Sequence, residues 1–183
     1  MTGSTVYYII AAIVIIAIIV VAIIFSGRAR SRRLQRRFGP EYDRAVQTSG
    51  DRAAAERDLA QREARVRRFH IEELPAGARE RYTEEWRTVQ TRFVDQPKAA
   101  VVEADKLVTS VMRDRGYPME DFNQRVADIS PDHPTVVQNY RAAHDIAARS
   151  DRGEASTEEL RQAMVHYRTL FSDLLGTDER KTS

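Results

Sequence analysis

A chain of 183 residues has room for one domain of ordinary size plus an appendage, and the absence of cysteine excludes disulfides and thiolate chemistry. Six of its 29 basic residues lie between positions 28 and 37, where no acid occurs. Residues 38–183 therefore carry 23 basic against 27 acidic residues, a net charge of −4. This acidic body argues against nucleic acid as a partner, because duplex binding usually needs a basic face.

An uninterrupted run of 20 apolar residues occupies positions 6–25, after a short N-terminal tail of residues 1–5. As a helix with a rise of ~1.5 Å per residue, the run spans about 30 Å, which matches the hydrocarbon core of a bilayer. The sequence therefore predicts a single-pass transmembrane helix in the lipid bilayer. A buried helix of a soluble protein is the alternative, but such helices rarely run this long without a polar position.

An arginine-rich juxtamembrane segment, residues 26–39, follows the apolar run. A cleaved signal peptide needs a basic start, a shorter apolar stretch and a small-x-small site, which do not occur here. By the positive-inside rule the arginine flank stays in the cytoplasm, so we predict an uncleaved signal-anchor with the N-terminus outside and the C-terminal domain cytoplasmic. Export of a membrane-anchored domain is the alternative. The arginines concerned are Arg28, Arg30, Arg32, Arg33, Arg36 and Arg37.

The same arginines have a second predicted role at the membrane surface. Basic side chains attract anionic lipid headgroups, and Leu34 and Phe38 are placed to dip into the interface beside them. Fixing the topology alone would also explain the charges. Both interpretations stay open at the level of sequence.

A charged helical stalk is predicted for residues 40–74, beginning after the break at Gly39-Pro40. Its main helix, residues 52–72, has one narrow apolar stripe formed by Ala55, Leu59, Val66 and Phe69. A coiled-coil seam is the alternative, but Arg62 occupies a position in the stripe where such a seam wants an apolar residue. We therefore favour a stalk helix that leans on the domain.

A compact bundle of about five helices is predicted for residues 75–176, followed by a disordered tail, residues 177–183. Apolar residues recur at helical spacing, as around Trp86, and period-two alternation does not persist anywhere. Ser156 and Glu159 form a capping-box pattern at the start of the last helix. The predicted fold class is all-α, with Trp86 in the core.

Two histidines, His144 and His166, are the candidates for a metal or acid–base site. They lie at the edges of apolar faces on helices that are neighbours in sequence, where Asp145 or Asp132 would complete a site. Histidines at the boundary of a core form structural hydrogen bonds to a Tyr or a carboxylate far more often than they form a metal or acid–base site. No zinc, nucleotide-loop or nucleophile-elbow motif occurs, so we expect no cofactor and lean against an enzyme. Paired carboxylates such as Glu84-Glu85 are interpreted as helix-dipole complements.

The chain resembles a family of uncharacterised bacterial membrane-anchored helical proteins, usually named hypothetical or "secreted" protein. The resemblance is carried, between roughly residues 34 and 175, by RRFGPEYDRAV, RYTEEWRTVQTRFVDQPKAAVVEADKLV, VMRDRGYP, DHPTVVQNYRAAHDIA and TEELRQAMVHYRTLF. It implies an N-terminal transmembrane segment followed by a helical domain, and it implies no activity, substrate or catalytic residue. The "secreted" label conflicts with the topology that the arginines predict.

A membrane tether, a charged stalk and a compact body without a catalytic motif together predict the function. The leading hypothesis is a cytoplasmic-facing interaction or scaffold domain that binds a partner protein or itself. The alternative is a metal-binding or enzymatic helical domain that uses His144 and His166.

Overall fold

The computed structural model describes residues 3–176, apart from the side chains of residues 3–12, 14, 20, 22–24 and 26. All regular secondary structure in this part of the chain is helical, which confirms the all-α class. The eight helices are α1 (Gly3–Phe38), α2 (Pro40–Ser49), α3 (Arg52–Val66), α4 (Ala78–Arg92), α5 (Pro97–Asp114), α6 (Phe122–Ile129), α7 (Val137–Asp151) and α8 (Thr157–Leu174).

Helix α1 is continuous over 36 residues, so it takes in residues 3–5 of the predicted tail and most of the arginine-rich segment. Many side chains of the predicted membrane segment, residues 6–25, lie outside the described residues. Among the residues described, no helix is long and apolar enough to cross a membrane. The large apolar side chains described between residues 13 and 25 of α1 are exposed, from 51% at Val21 to 68% at Phe25.

The chain turns sharply after α1, because Gly39 has a positive φ of 46° and Pro40 starts α2 with the fixed backbone angle of a first helical turn. A second turn at Gly50, with φ 67°, leads into α3. The side chain of Asp51 caps α3 by accepting a hydrogen bond of 2.9 Å from the amide of Ala53. Three helices thus follow one another with almost no loop between them.

These three helices enclose a small core of their own, made by Leu34, Phe38, Tyr42 and Leu59. Leu34 and Phe38 are completely buried, which corrects the prediction that they dip into the membrane interface. Residues 40–74 form two packed helices, α2 and α3, and an irregular connection. Helix α3 ends at Val66, six residues before the predicted end, and packs against α6.

The connection from α3 to α4 is held against the end of α5. The amide of Glu72 donates a hydrogen bond of 3.0 Å to the carbonyl of Arg115. Gly116, with φ 90°, lies so close that a Cβ there would be 2.2 Å from the carbonyl oxygen of His70. A side chain is therefore excluded at this position, and glycine is required both by its backbone angle and by the close approach.

Helices α4 to α8 occupy the region predicted as the helical domain and form the main core. Helix α8 packs against both α5 and α7, and α5 also packs against α4. Trp86 is 5% exposed and stacks on Phe171 with ring centroids 4.8 Å apart, so its predicted place in the core is confirmed. The predicted capping box of Ser156 and Glu159 is present at the start of α8. The predicted tail, residues 177–183, lies outside the described residues.

Candidate functional site

The arginines at the end of α1 divide into two groups. Arg33 and Arg37 are bound to the body of the protein by acids on other elements. The other four are exposed and have no hydrogen-bonded or ionic partner among the residues that the structure describes: Arg28, Arg30, Arg32 and Arg36. Only this second group is free to interact with something outside the chain.

Glu63 of α3 is the acid that holds the first group. Arg33 donates two parallel hydrogen bonds of 2.9 Å to its two carboxylate oxygens. Arg37 and Arg67 approach the same carboxylate at 3.9 and 3.6 Å, and the Glu63 side chain is only 6% exposed. The paired geometry is the strongest form of arginine–carboxylate contact. It ties the last turns of α1 firmly to α3.

Glu56, one helical turn from the start of α3, accepts hydrogen bonds from a second set of donors. Ser31 of α1 donates to its Oε1 at 2.6 Å, Tyr42 of α2 at 2.8 Å and Arg52 at 3.0 Å. Partial burial opposes ionisation of Glu56, but these hydrogen bonds outweigh it and lower the pKa of the carboxyl below its usual value. This carboxylate joins all three N-terminal helices.

Glu41, in the first turn of α2, is a buried acid, with a side chain only 1% exposed. Arg141 of α7 donates to both of its oxygens at 2.6 and 2.7 Å. Arg62 of α3 and Gln138 of α7 add hydrogen bonds of 3.0 and 2.8 Å. A buried carboxylate with four donors is fully compensated, and it links the N-terminal helices to the main bundle.

Asp128 of α6 makes a second buried contact between the N-terminal helices and the main bundle. Its Oδ1 accepts hydrogen bonds of 2.9 Å from Arg65 and 2.8 Å from Gln124, while its side chain is 1% exposed. Arg65 also binds Glu120 at 2.6 Å. The burial and pairing of these acids were not predicted from the sequence, because a charged residue on a charged helix is normally expected to be solvated.

The two candidate histidines are held in separate environments. His144 stacks on Phe122 with ring centroids 3.6 Å apart, and burial lowers its pKa. His166 forms a hydrogen bond of 2.9 Å between its Nδ1 and the side-chain oxygen of Asn139. The acids proposed to complete a site are engaged elsewhere, since Asp145 pairs with Arg149 and Asp132 with Arg37. Within the described residues, no group of three or more His, Asp and Glu side chains is placed to hold a metal.

A different histidine, His133, is mostly buried and is bound to an acid of α8. Its Nδ1 contacts Asp173 near the end of α8, and its Nε2 is buried without a partner among the described residues. Asp132 beside it accepts from Tyr117 at 3.4 Å and from Arg37 at 3.2 Å. Burial, and then Asp132, raise the pKa of the Tyr117 hydroxyl. These contacts fasten the α6–α7 connection to α8 and to the end of α1.

Glu84 and Glu85 lie beyond the first turn of α4 and pair with Arg87 and Arg81 of the same helix. Their interpretation as helix-dipole complements is therefore wrong. The contacts are exposed pairs three and four residues apart, which stabilise a helix by only a few tenths of a kcal/mol, about 0.2–0.5 each.

An apolar groove opens on the surface between α4 and α8, with a volume of about 170 Å³. Val165 is 41% exposed there, next to Met164, which is buried. Arg168 has no partner among the described residues, while Arg161 is held by Glu158 of its own helix. The groove is lined by Trp86, Gln90, Phe93, Arg161, Met164, Val165 and Arg168.

The fold and these contacts define an all-α protein in which a long N-terminal helix is locked into a helical bundle by buried arginine–carboxylate pairs. No protein-family model matches the chain, and neither a curated protein nor a solved structure shows significant similarity to it. The family resemblance described above stays a prediction. The function must therefore be argued from the geometry of this chain.

Proposed function

We propose that this chain is a single-pass membrane protein whose helical body binds another protein on the cytoplasmic side. The observation that carries the proposal is that α1 has two different surfaces along its length. The aliphatic side chains described between residues 13 and 21 are exposed, whereas the last turns are fixed in the body by buried Leu34 and Phe38 and by the Arg33–Glu63 pair. A helix that continues without a break from one part to the other is a rigid connection.

The exposed aliphatic side chains of α1 support the bilayer as its surroundings. Ile13, Ile16 and Ile18 are each about 60% exposed, at 61, 60 and 62%. Water is an unfavourable solvent for such a row, since burying each side chain of this size contributes about 1.5–3 kcal/mol. In lipid the same side chains are covered, and the helix satisfies its own backbone hydrogen bonds.

The exposed arginines support a cytoplasmic body. Arg28 and Arg30 follow the apolar run within one and a half turns, and no basic residue precedes the run. Positive charge close to the end of a transmembrane helix is retained on the cytoplasmic side. The segment before the apolar run then lies on the other side of the membrane.

The groove between α4 and α8 supports protein binding by the body. Its lining is mainly apolar, and Arg168 at its rim is free to pair with an acid. A peptide segment with an apolar side chain next to a carboxylate would satisfy both features. A second copy of this chain is the other candidate partner, and the experiment below distinguishes the two by mass.

Membrane insertion is tested by placing charge in α1. We expect the double substitution Ile16→Arg and Ile19→Arg to release the full-length protein from membranes during an alkaline carbonate wash. Each arginine at the centre of a transmembrane helix costs roughly 2.5–3.5 kcal/mol, while arginine remains a good helix former. The control is Val94→Arg with Val102→Arg, at positions 81% and 41% exposed in the body. Release of the unsubstituted protein in the wash would contradict the proposal.

Protein binding is tested by cross-linking from the groove. We expect a photoreactive amino acid at Gln90 of the full-length protein to give a defined adduct in membranes, which Val165→Glu abolishes and Val102→Glu leaves intact. The two valines are equally exposed, at 41%, so the comparison isolates the groove. An adduct of two 20.9 kDa chains indicates self-association, and another mass indicates a partner. An absent adduct, or equal sensitivity to both substitutions, would count against the groove.

A further inference from the structure

Helices α1 and α3 point in the same general direction, and this places the turn before α3 beside the apolar segment of α1. Ser31 contacts Glu56, and Arg33, two residues further along α1, contacts Glu63, seven residues further along α3. Both helices therefore run away from the apolar segment in the same general direction. It follows that the start of α3 is nearer to the apolar segment than its end.

The rise per residue of an α-helix gives the position of the start of α3 along α1. Asp51, the cap of α3, precedes Glu56 by five residues, a distance of about 8 Å along the axis. Five residues back from Ser31 on α1 is residue 26, directly after the apolar run. The turn between α2 and α3, residues 49–52, is thus level with the end of the apolar run.

This level of the molecule has an exposed and partly basic surface. Ser49 and Gly50 are exposed, and the side chain of Arg52 is 63% exposed although it binds Glu56. On α1, Arg28 and Arg30 are exposed without a partner among the residues described. They lie about 5 and 8 Å beyond Phe25, within the headgroup layer of an upright helix.

We propose that residues 49–52 together with Arg28 and Arg30 form a second membrane contact, which lies on the phosphates of anionic phospholipids. This inference rests on the proposed membrane insertion of α1. The body is then held against the headgroup layer in one orientation instead of swinging below the bilayer. Arg36, about 16 Å beyond Phe25, is outside the contact, because exposed charges act over only about 8–10 Å in physiological salt.

The contact is tested with fluorescent labels on single cysteines, since the chain has none of its own. The full-length protein is placed in nanodiscs with a nitroxide quencher on the lipid headgroups. We expect a label at Ser49 to lose most of its fluorescence and a label at His70 to keep it. His70 is 95% exposed and lies beyond the far end of α3, a helix about 21 Å long from first to last residue.

Two further measurements complete the test. A label at Ile16, read against a quencher on the acyl chains, reports insertion of α1: quenching at Ile16 without quenching at Ser49 would overturn this inference alone, whereas no quenching at Ile16 would overturn the proposed function. Ser49 quenching should be stronger in anionic than in zwitterionic nanodiscs. Arg28→Gln should reduce that difference and Arg36→Gln should preserve it. Equal Ser49 quenching in both lipids would refute the anionic contact.

Discussion

Replacing Glu41 with alanine is expected to lower the free energy of unfolding by about 3–5 kcal/mol, the usual cost of breaking a buried ion pair. The substitution removes the acceptor of Arg141 and of one Arg62 hydrogen bond, and the side chains of these arginines are only 18% and 20% exposed. Arg62 keeps Asp58 as a partner, but Arg141 has no other acid in contact among the described residues. The loss comes mainly from leaving a buried positive charge uncompensated.

The measurement is urea unfolding of the full chain in detergent micelles, followed by circular dichroism and by the fluorescence of Trp86, the single tryptophan. Asp43→Ala is the matched control, because Asp43 is an exposed acid on the same helix. It should cost no more than about 1 kcal/mol, the upper range of a helix-dipole contribution at the surface. Similar losses for the two variants would show that the Glu41 cluster contributes no more than a surface charge.

A second variant separates the buried charge from the packing around it. Glu41→Leu combined with Arg141→Met removes both members of the pair and fills much of the same volume. Buried pairs replaced in this way are often neutral or even more stable, so the double variant should recover most of the loss seen in Glu41→Ala. If the double variant were as unstable as the single one, the uncompensated charge of Arg141 would not explain the loss, which would then come from the hydrogen bonds that Arg62 and Gln138 lose.

The helical class and several boundaries could be predicted because they depend on local chemistry. The break at Gly39-Pro40, the cap at Asp51 and the capping box at Ser156 follow from backbone angles and neighbouring side chains. Apolar spacing likewise predicted a helix around Trp86, which is α4. The end of α3 was placed too late, because a tertiary contact at Glu72, unrelated to helical propensity, holds the chain outside the helix.

The contacts that join the two parts of the molecule were beyond sequence reasoning. Glu41 and Arg141 are 100 residues apart, and a periodic pattern says nothing about which distant helix meets a given face. A weak indication did exist, since Glu41 lies three residues after Phe38 and next to Tyr42, which are both buried. An acid among buried apolar residues indicates a buried partner of opposite charge, but it does not identify that partner.

Leu34 and Phe38 illustrate a different ambiguity. Two apolar residues four apart among arginines form a face that suits either a membrane interface or a protein core. The structure resolves the question in favour of a core with Tyr42 and Leu59. The same face also determines how the arginines divide, because Arg33 and Arg37 approach Glu63 beside it while Arg28 and Arg36 remain outside.

Phe38→Ala is expected to cost about 3–5 kcal/mol, the range for truncating a fully buried aromatic side chain. Phe38 is completely buried in a core of only four fully packed side chains, so little surrounding structure can collapse into the space. We expect the loss to be concentrated in α2 and α3. The main bundle keeps its own core around Trp86 and Phe171, which the substitution does not touch.

Hydrogen exchange of the full chain, resolved by peptide, measures this localisation. Amides of α2 should exchange faster by roughly two to four orders of magnitude, the equivalent of 3–5 kcal/mol, while those of α8 change little. Phe25→Ala on the same helix is the control, since Phe25 is 68% exposed and contributes nothing to either core. Equal acceleration in α2 and α8 would mean that the two cores unfold as one unit. In that case the Glu41 and Asp128 contacts would couple the two parts of the molecule, and α1 would be fixed to the whole body rather than to the first three helices alone.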